Sequence, residues 1–286
     1  MQIKFKTGDT MEEELLLDHM QAYEVLKNMH VPFDYKETFD IIHKYLDDIN
    51  QETTVPPKVI ARELMEADKG LFMTDEVFKF VEKVLKDTYF FIKESHAAVE
   101  LGNLYYFERY NHINYENALK YYLKGQNFYD GSKMAGECFL LGRGIEKNYM
   151  NAFYMLLPNA LTDEDAKSLY LLGDMYFYGY YVEQDVGVAC DIYEHAYEVT
   201  CNKETSHATK AEIMFRLGIK YLLGFEDISD LQASLEAFNQ SEQQFYYAIQ
   251  ECNPSLKDRI YNIHQKQEEV KEEIRKILFS EQDLKS

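Results

Sequence analysis

Tryptophan is absent from the sequence, proline occurs five times, and the four cysteines lie apart with no CxxC pair. Each shortage excludes something. Cys138, Cys190, Cys201 and Cys252 have the spacing of neither a zinc knuckle nor a disulfide framework. No apolar run reaches the roughly 18 residues of a membrane span. The opening MQIKFKTGDTMEEELL holds no apolar stretch of signal-peptide length. A reduced, cytoplasmic protein without a membrane partner is the expectation. Basic residues are scarce as well: 30 Lys and Arg stand against 50 Asp and Glu, a net charge of −20 over 286 residues. The acidic excess lies in residues 1–96 and 97–250, while the tail is near neutral. Such a surface repels phosphate backbones and argues against nucleic acid and anionic membranes. Two readings of it stay open: plain solubility, or attraction for a basic protein or peptide.

Motifs that carry chemistry are equally scarce. None of the eight histidines sits in HExxH or a similar zinc spacing. His195 with Glu198 is one turn of ligand-like residues lacking further partners. Asp163-Glu164-Asp165 follows Thr162 and reads as a helix N-terminus, where negative charge suits the dipole. The Gly142-Arg143-Gly144 turn is too short for a phosphate cradle and follows a helix. No catalytic residue, metal site or cofactor is expected, and the chain is not read as an enzyme.

What is abundant is the apolar and aromatic content, 46% and 15%, with 24 Tyr and 18 Phe. So much tyrosine suits rings lying on half-wet surfaces. Apolar residues recur at three and four nearly everywhere, which predicts an all-α chain. Thr10 with Glu13 and Asp34 with Glu37 have capping-box spacing. Thr74 precedes Asp75 and Glu76, a third helix start. Residues 1–95 are expected to form a helical bundle with helices near 11–29, 35–49, 57–68 and 75–94.

From about residue 96 to 250 the chain repeats itself. Gly102, Gly136, Gly173 and Gly218 anchor four units. Three residues after each stands an aromatic (Tyr105, Phe139, Tyr176, Tyr221), and twelve after each a short polar residue (Asn114, Asn148, Asp185, Asp230). Sixteen after each stands a small one: Ala118, Ala152, Ala189, Ser234. The polar residue is placed to cap a second helix. The glycine, costing about 1 kcal/mol inside a helix, is tolerable if it admits the partner helix. Each unit is then a helical hairpin that must stack on its neighbours.

This unit resembles the Sel-one-like repeat, a relative of the tetratricopeptide repeat with the pattern LGxxYxxGxGVxxDxxxA. The second unit matches most fully, through Gly136, Phe139, Gly142, Gly144, Ile145, Asn148 and Ala152. In the third, Tyr181 stands where the second loop glycine belongs. The first lacks both loop glycines, and the fourth departs at Glu226-Asp227. The stretch 200–207 reads as an insertion. The resemblance implies an α/α solenoid that binds or scaffolds other proteins on its concave face. Its groove positions, carried over, fall on Asn103, Tyr106 and Phe107 in the first unit and on Lys133, Glu137, Leu140 and Leu141 in the second. They fall on Tyr170, Asp174, Phe177 and Tyr178 in the third, and on Phe215, Ile219, Leu222 and Leu223 in the fourth. Each ring is either a groove contact or core. The apolar fourth set implies a cover, supplied by the C-terminal helix or the N-terminal bundle.

Residues 251–286 hold a final helix. Leu256, Ile260, Ile263, Gln267, Val270, Ile274 and Ile277 form a heptad-like seam. It reads either as a cap over the last hairpin or as a coiled-coil homodimer with Gln267 setting the register. The expected function is a non-catalytic protein or peptide interaction module. The alternatives are a structural self-assembling protein and an enzyme or small-ligand binder with a pocket in the groove.

Overall fold

The computed structural model describes residues 19–50, 55–162, 165–251 and 256–283. Thirteen α-helices and one short 3₁₀ turn follow one another, and among the described residues there is no strand. Four helices come first: α1 (His19–Lys27), α2 (Lys36–Asn50), α3 (Pro57–Glu66) and α4 (Asp75–Phe90). The expected capping box at Thr10 and Glu13 lies outside the described residues. Thr74 caps α4, its hydroxyl accepting from the Val77 amide. At α2 the Asp34–Glu37 pairing does not form. The Asp68 carboxylate, thirty residues away, accepts from the Glu37 and Thr38 amides, and the Glu37 carboxylate accepts from the Asp68 amide. The reciprocal logic survives, but a distant loop supplies the partner.

Four hairpins then stack. Their inner helices are α5 (His96–Tyr106), α7 (Tyr129–Leu141), α9 (Ala166–Tyr178) and α11 (His207–Leu223). The outer ones are α6 (Tyr115–Lys124), α8 (Tyr149–Thr162), α10 (Val186–Asn202) and α12 (Ile228–Gln250). Each inner helix packs on the outer helix that follows, and each outer helix on the next inner one. Inner helices also touch each other, α5 on α7 and α9 on α11.

The repeat offsets acquire physical roles. Asn114, Asn148 and Asp185 cap their outer helices, accepting from the amide three residues on. Their own amides donate to the carbonyls of Tyr105, Phe139 and Tyr176 at 2.8, 2.9 and 3.0 Å, which closes the same loop three times. In the fourth unit the cap is Asp227 and not Asp230. The Asp230 carboxylate instead accepts from the Glu226 amide, because the loop there lacks the repeat's path. The stretch read as an insertion is absorbed partly by α10 itself, which runs on to Asn202.

The anchor glycines make room for one specific side chain, twenty residues on. A Cβ on Gly102, Gly173 or Gly218 would sit 2.4–2.6 Å from ring atoms of Tyr122, Tyr193 or Phe238, and one on Gly136 would meet Leu156. Ala118, Ala152, Ala189 and Ser234 are fully buried at the same joint, and Ser234 Oγ donates to the Gly218 carbonyl.

The main core runs from Ala22 through the four hairpins to Ala237. A second cluster joins α11 and α12 to α13 (Lys257–Asp283). Leu256, Ile260, Ile263, Val270, Ile274 and Ile277, the predicted seam, pack there with Phe215, Ile219 and Leu222. Gln267 donates to Asn239 and Glu242 of α12 at 3.0 and 2.9 Å. The C-terminal helix packs over Phe215, Ile219 and Leu222 of the apolar fourth set, whereas Leu223 is left 62% exposed.

Candidate functional site

The exposed faces of α5, α7, α9 and α11, together with the start of α13, enclose a groove of about 1230 Å³. Asn103, Tyr106, Phe107, Glu137, Tyr170, Asp174 and Tyr178 all line it. Phe177 packs against the core. The rings differ in what they offer. Tyr178 is 57% exposed, whereas Tyr106 and Tyr170 are 6% exposed, each beneath an arginine.

A ladder of charges bridges successive helices along the inner face, and all of it but the first step lies on the groove lining. Arg62 of α3 donates to Glu100 of α5 at 2.7 Å. Arg143, in the loop after α7, donates to the Tyr106 hydroxyl of α5 and lies over the Tyr106 and Tyr115 rings. Lys167 of α9 stands 2.6 Å from Glu137 of α7, and Lys133 lies 3.0 Å from Asp165. Arg216 of α11 forks onto both oxygens of Asp174 on α9 while its plane covers Tyr170. Arg259 of α13 reaches Glu212 of α11 at 2.9 Å. Every step from α3 to α13 along the inner face therefore carries a charge-assisted contact.

The protonation states follow from this pairing. Burial would raise the Glu137 carboxyl, but Lys167 and Arg143 hold it below the usual carboxylate range. Asp165 is likewise lowered against its burial by Lys133 and the Ser168 amide. Burial opposes the charge on Arg216, yet Asp174 and Glu212 keep it firmly protonated. Burial pushes the phenols of Tyr106 and Tyr170 well above their ordinary value, so both stay neutral donors.

The acidic groups of the floor are thus already engaged by Lys167 and Arg216. Nine acidic and seven basic side chains line the groove, so the charge of −20 is carried mainly elsewhere. Asn159, 1% exposed on the groove wall, has a side-chain carbonyl without a partner. Sequence reasoning missed Arg143, Lys167 and Arg216 as groove groups. Opposite charges near the anchors of adjacent units (Asp174 one after Gly173, Arg216 two before Gly218) were the available signal.

His195 and Glu198 are 3.6 Å apart on an open surface. Among the described residues no group of three or more His, Cys, Asp or Glu could hold a metal ion. No helix of the described residues is long and apolar enough to cross a membrane. Asp165 caps α9 through the Ser168 amide, in line with the helix start expected at the acidic cluster. Asp163 and Glu164 lie outside the described residues.

No family model matches the sequence, and no curated protein matches it. Solved structures do. A Sel1 repeat protein from Oxalobacter formigenes is 17% identical with a TM-score of 0.50, over 79% of this chain and 60% of that one. A protective antigen present in uropathogenic Escherichia coli strains, displaying an SLR fold, is 17% identical with a TM-score of 0.45, over 88% of this chain and 53% of that one. The chain spans less than two thirds of the length of either. The stacked helical hairpins and the superposition on the first of these make this an α/α solenoid with the fold of Sel1-like repeat proteins.

Proposed function

We propose that this chain is a non-catalytic interaction module that holds an extended protein segment in its concave groove. The observation that carries the reading is the groove itself: a pre-paired, rigid floor beneath accessible groups. Leu141 and Tyr178 are exposed on its walls, and Asn262 stands exposed on its lining. Apolar and aromatic anchors beside a few polar groups suit a peptide backbone with mixed side chains. The near balance of charge in the groove favours a partner segment bearing both signs. In this reading the four repeats (96–250) form the binding body, and residues 1–95 and 251–286 support its ends. A reducing compartment, the cytoplasm, fits the exposed free thiol of Cys201 and the absence of a CxxC pair in the sequence.

The test is an affinity capture from the native host's lysate, with the unaltered chain beside a groove variant, Leu141→Glu with Asn262→Trp. Both positions are exposed on the groove lining. A protein retained by the first bait and lost by the second supports the reading. Recovery of the bait alone, as an oligomer, favours self-assembly.

A further inference from the structure

The loops after α7 and α9 follow one backbone path, with one substitution. Gly142 and Gly144 have φ of 73° and 75°, and Gly179 and Tyr181 have 69° and 67°. Tyrosine thus occupies a left-handed position that glycine fills in the unit before. A side chain there is disfavoured by its Cβ, and the ring, 47% exposed, regains little by burial. Backbone strain retained to present an exposed ring points to a use for that ring.

Tyr181 belongs to a strip of aromatics at this edge of the solenoid. Its hydroxyl donates to that of Tyr154 at 3.1 Å, and its ring lies 5.6 Å from Phe153. Beside it Tyr180 stacks on Tyr149 with centroids 4.4 Å apart and planes within 2°, and Tyr178 stacks on Tyr180 at 5.3 Å. Tyr154 and Tyr178 are 59% and 57% exposed. Several other rings are roofed by cations: Lys124 over Tyr89, Phe90 and Tyr121, Arg143 over Tyr106 and Tyr115, Arg216 over Tyr170. No lysine or arginine among the described residues lies over any ring of the strip. The flanking loops expose Glu146, Lys147 and Glu183, a net negative set on a chain of net charge −20.

We propose that this strip is a docking surface for an arginine-bearing, extended segment of a partner protein. The negative ring faces attract a cation, and the flat guanidinium stacks on them as an ammonium cannot. The chain's net negative charge adds to that attraction. Tyr178 and Tyr180 also line the groove, so a segment lying on the strip can continue into it. The strip's own affinity does not require the groove to be filled.

Fluorescence anisotropy with a labelled peptide of alternating arginine and glycine tests this, with lysine–glycine and glutamate–glycine peptides as controls. The expected result is saturable binding of the arginine peptide, several-fold tighter than the lysine peptide and absent for the glutamate one. Tyr181→Gly with Tyr154→Leu should weaken it at least tenfold. Tyr181→Gly alone should weaken it without lowering the melting temperature, which separates lost contact from lost fold. The groove variant Leu141→Glu should bind the arginine peptide like the parent, whatever becomes of the groove's own partner. Three results would overturn the proposal: no saturable binding, equal binding after the rings are removed, or loss of binding through Leu141→Glu alone.

Discussion

The Lys167 ammonium lies 2.6 Å from a Glu137 carboxylate oxygen, tying the inner helix of one repeat to that of the next. Both side chains are largely buried, at 19% and 10% exposure. Breaking such a pair leaves a buried charge without its main partner, which costs far more than the intact pair contributes. The ladder therefore fixes the spacing of the inner helices and with it the width of the groove.

Lys167→Met should destabilise the fold by about 3 kcal/mol at neutral pH, as read by chemical denaturation. The pH dependence has a definite sign. Glu137 titrates below its ordinary range in the folded chain. Its stabilising contribution is complete above the unfolded value of about 4.3 and is lost as the pH falls through the lower folded value. The gap between parent and variant should narrow in that acidic window.

At the anchor glycines a single methyl group is the test. A Cβ on Gly173 would sit 2.5 Å from Tyr193 Cε1, and the Tyr193 hydroxyl is held by Asp174 at 2.8 Å, so the ring resists displacement. Gly173→Ala should cost about 1–3 kcal/mol. Adding Tyr193→Leu, the pairing that Gly136 and Leu156 already show, should recover part of the loss. A double-mutant cycle measures the coupling.

Equivalent loop positions should respond with opposite signs. Gly144→Ala places a Cβ 2.3 Å from the Tyr115 carbonyl at a φ of 75°, and more than 1 kcal/mol of stability should be lost. Tyr181→Gly relieves the same backbone conformation and should gain about 1 kcal/mol, less whatever its contact with Tyr154 supplies. Thermal melts of the two variants decide it.

The cap reading of α13 predicts that Ile263→Ala, at a fully buried site, costs about 2–4 kcal/mol. The melting temperature of the parent should not change with protein concentration. A concentration-dependent melt would instead favour association through the helix.

Much of this was legible in the sequence because repetition makes local rules visible several times over. Asn114, Asn148 and Asp185 cap helices because each ends the same loop path, which brings a short acceptor to the first free amides. Asp230 shares their offset but not their loop, and Asp227 takes the role. The Asp34–Glu37 signal failed for another reason: Asp68 reaches the same amides from a distant turn, which local spacing does not show. The groove was harder to read. Its positions came from a resemblance, and most of them line the groove, but Phe177 packs against the core and Arg143 from the next repeat roofs the Tyr106 ring. Likewise the close approach at each glycine involves the residue twenty places on, a tertiary relation with no local signature.

The most direct measurement is site-specific photocrosslinking in the native host's lysate, with the photoreactive residue at Leu141 or Asn262 in the groove, or at Lys271 of α13, which does not line the groove. The expected result is one protein crosslinked from both groove positions and not from position 271. Crosslinks from position 271 alone, or from none of the three, would contradict binding in the concave groove.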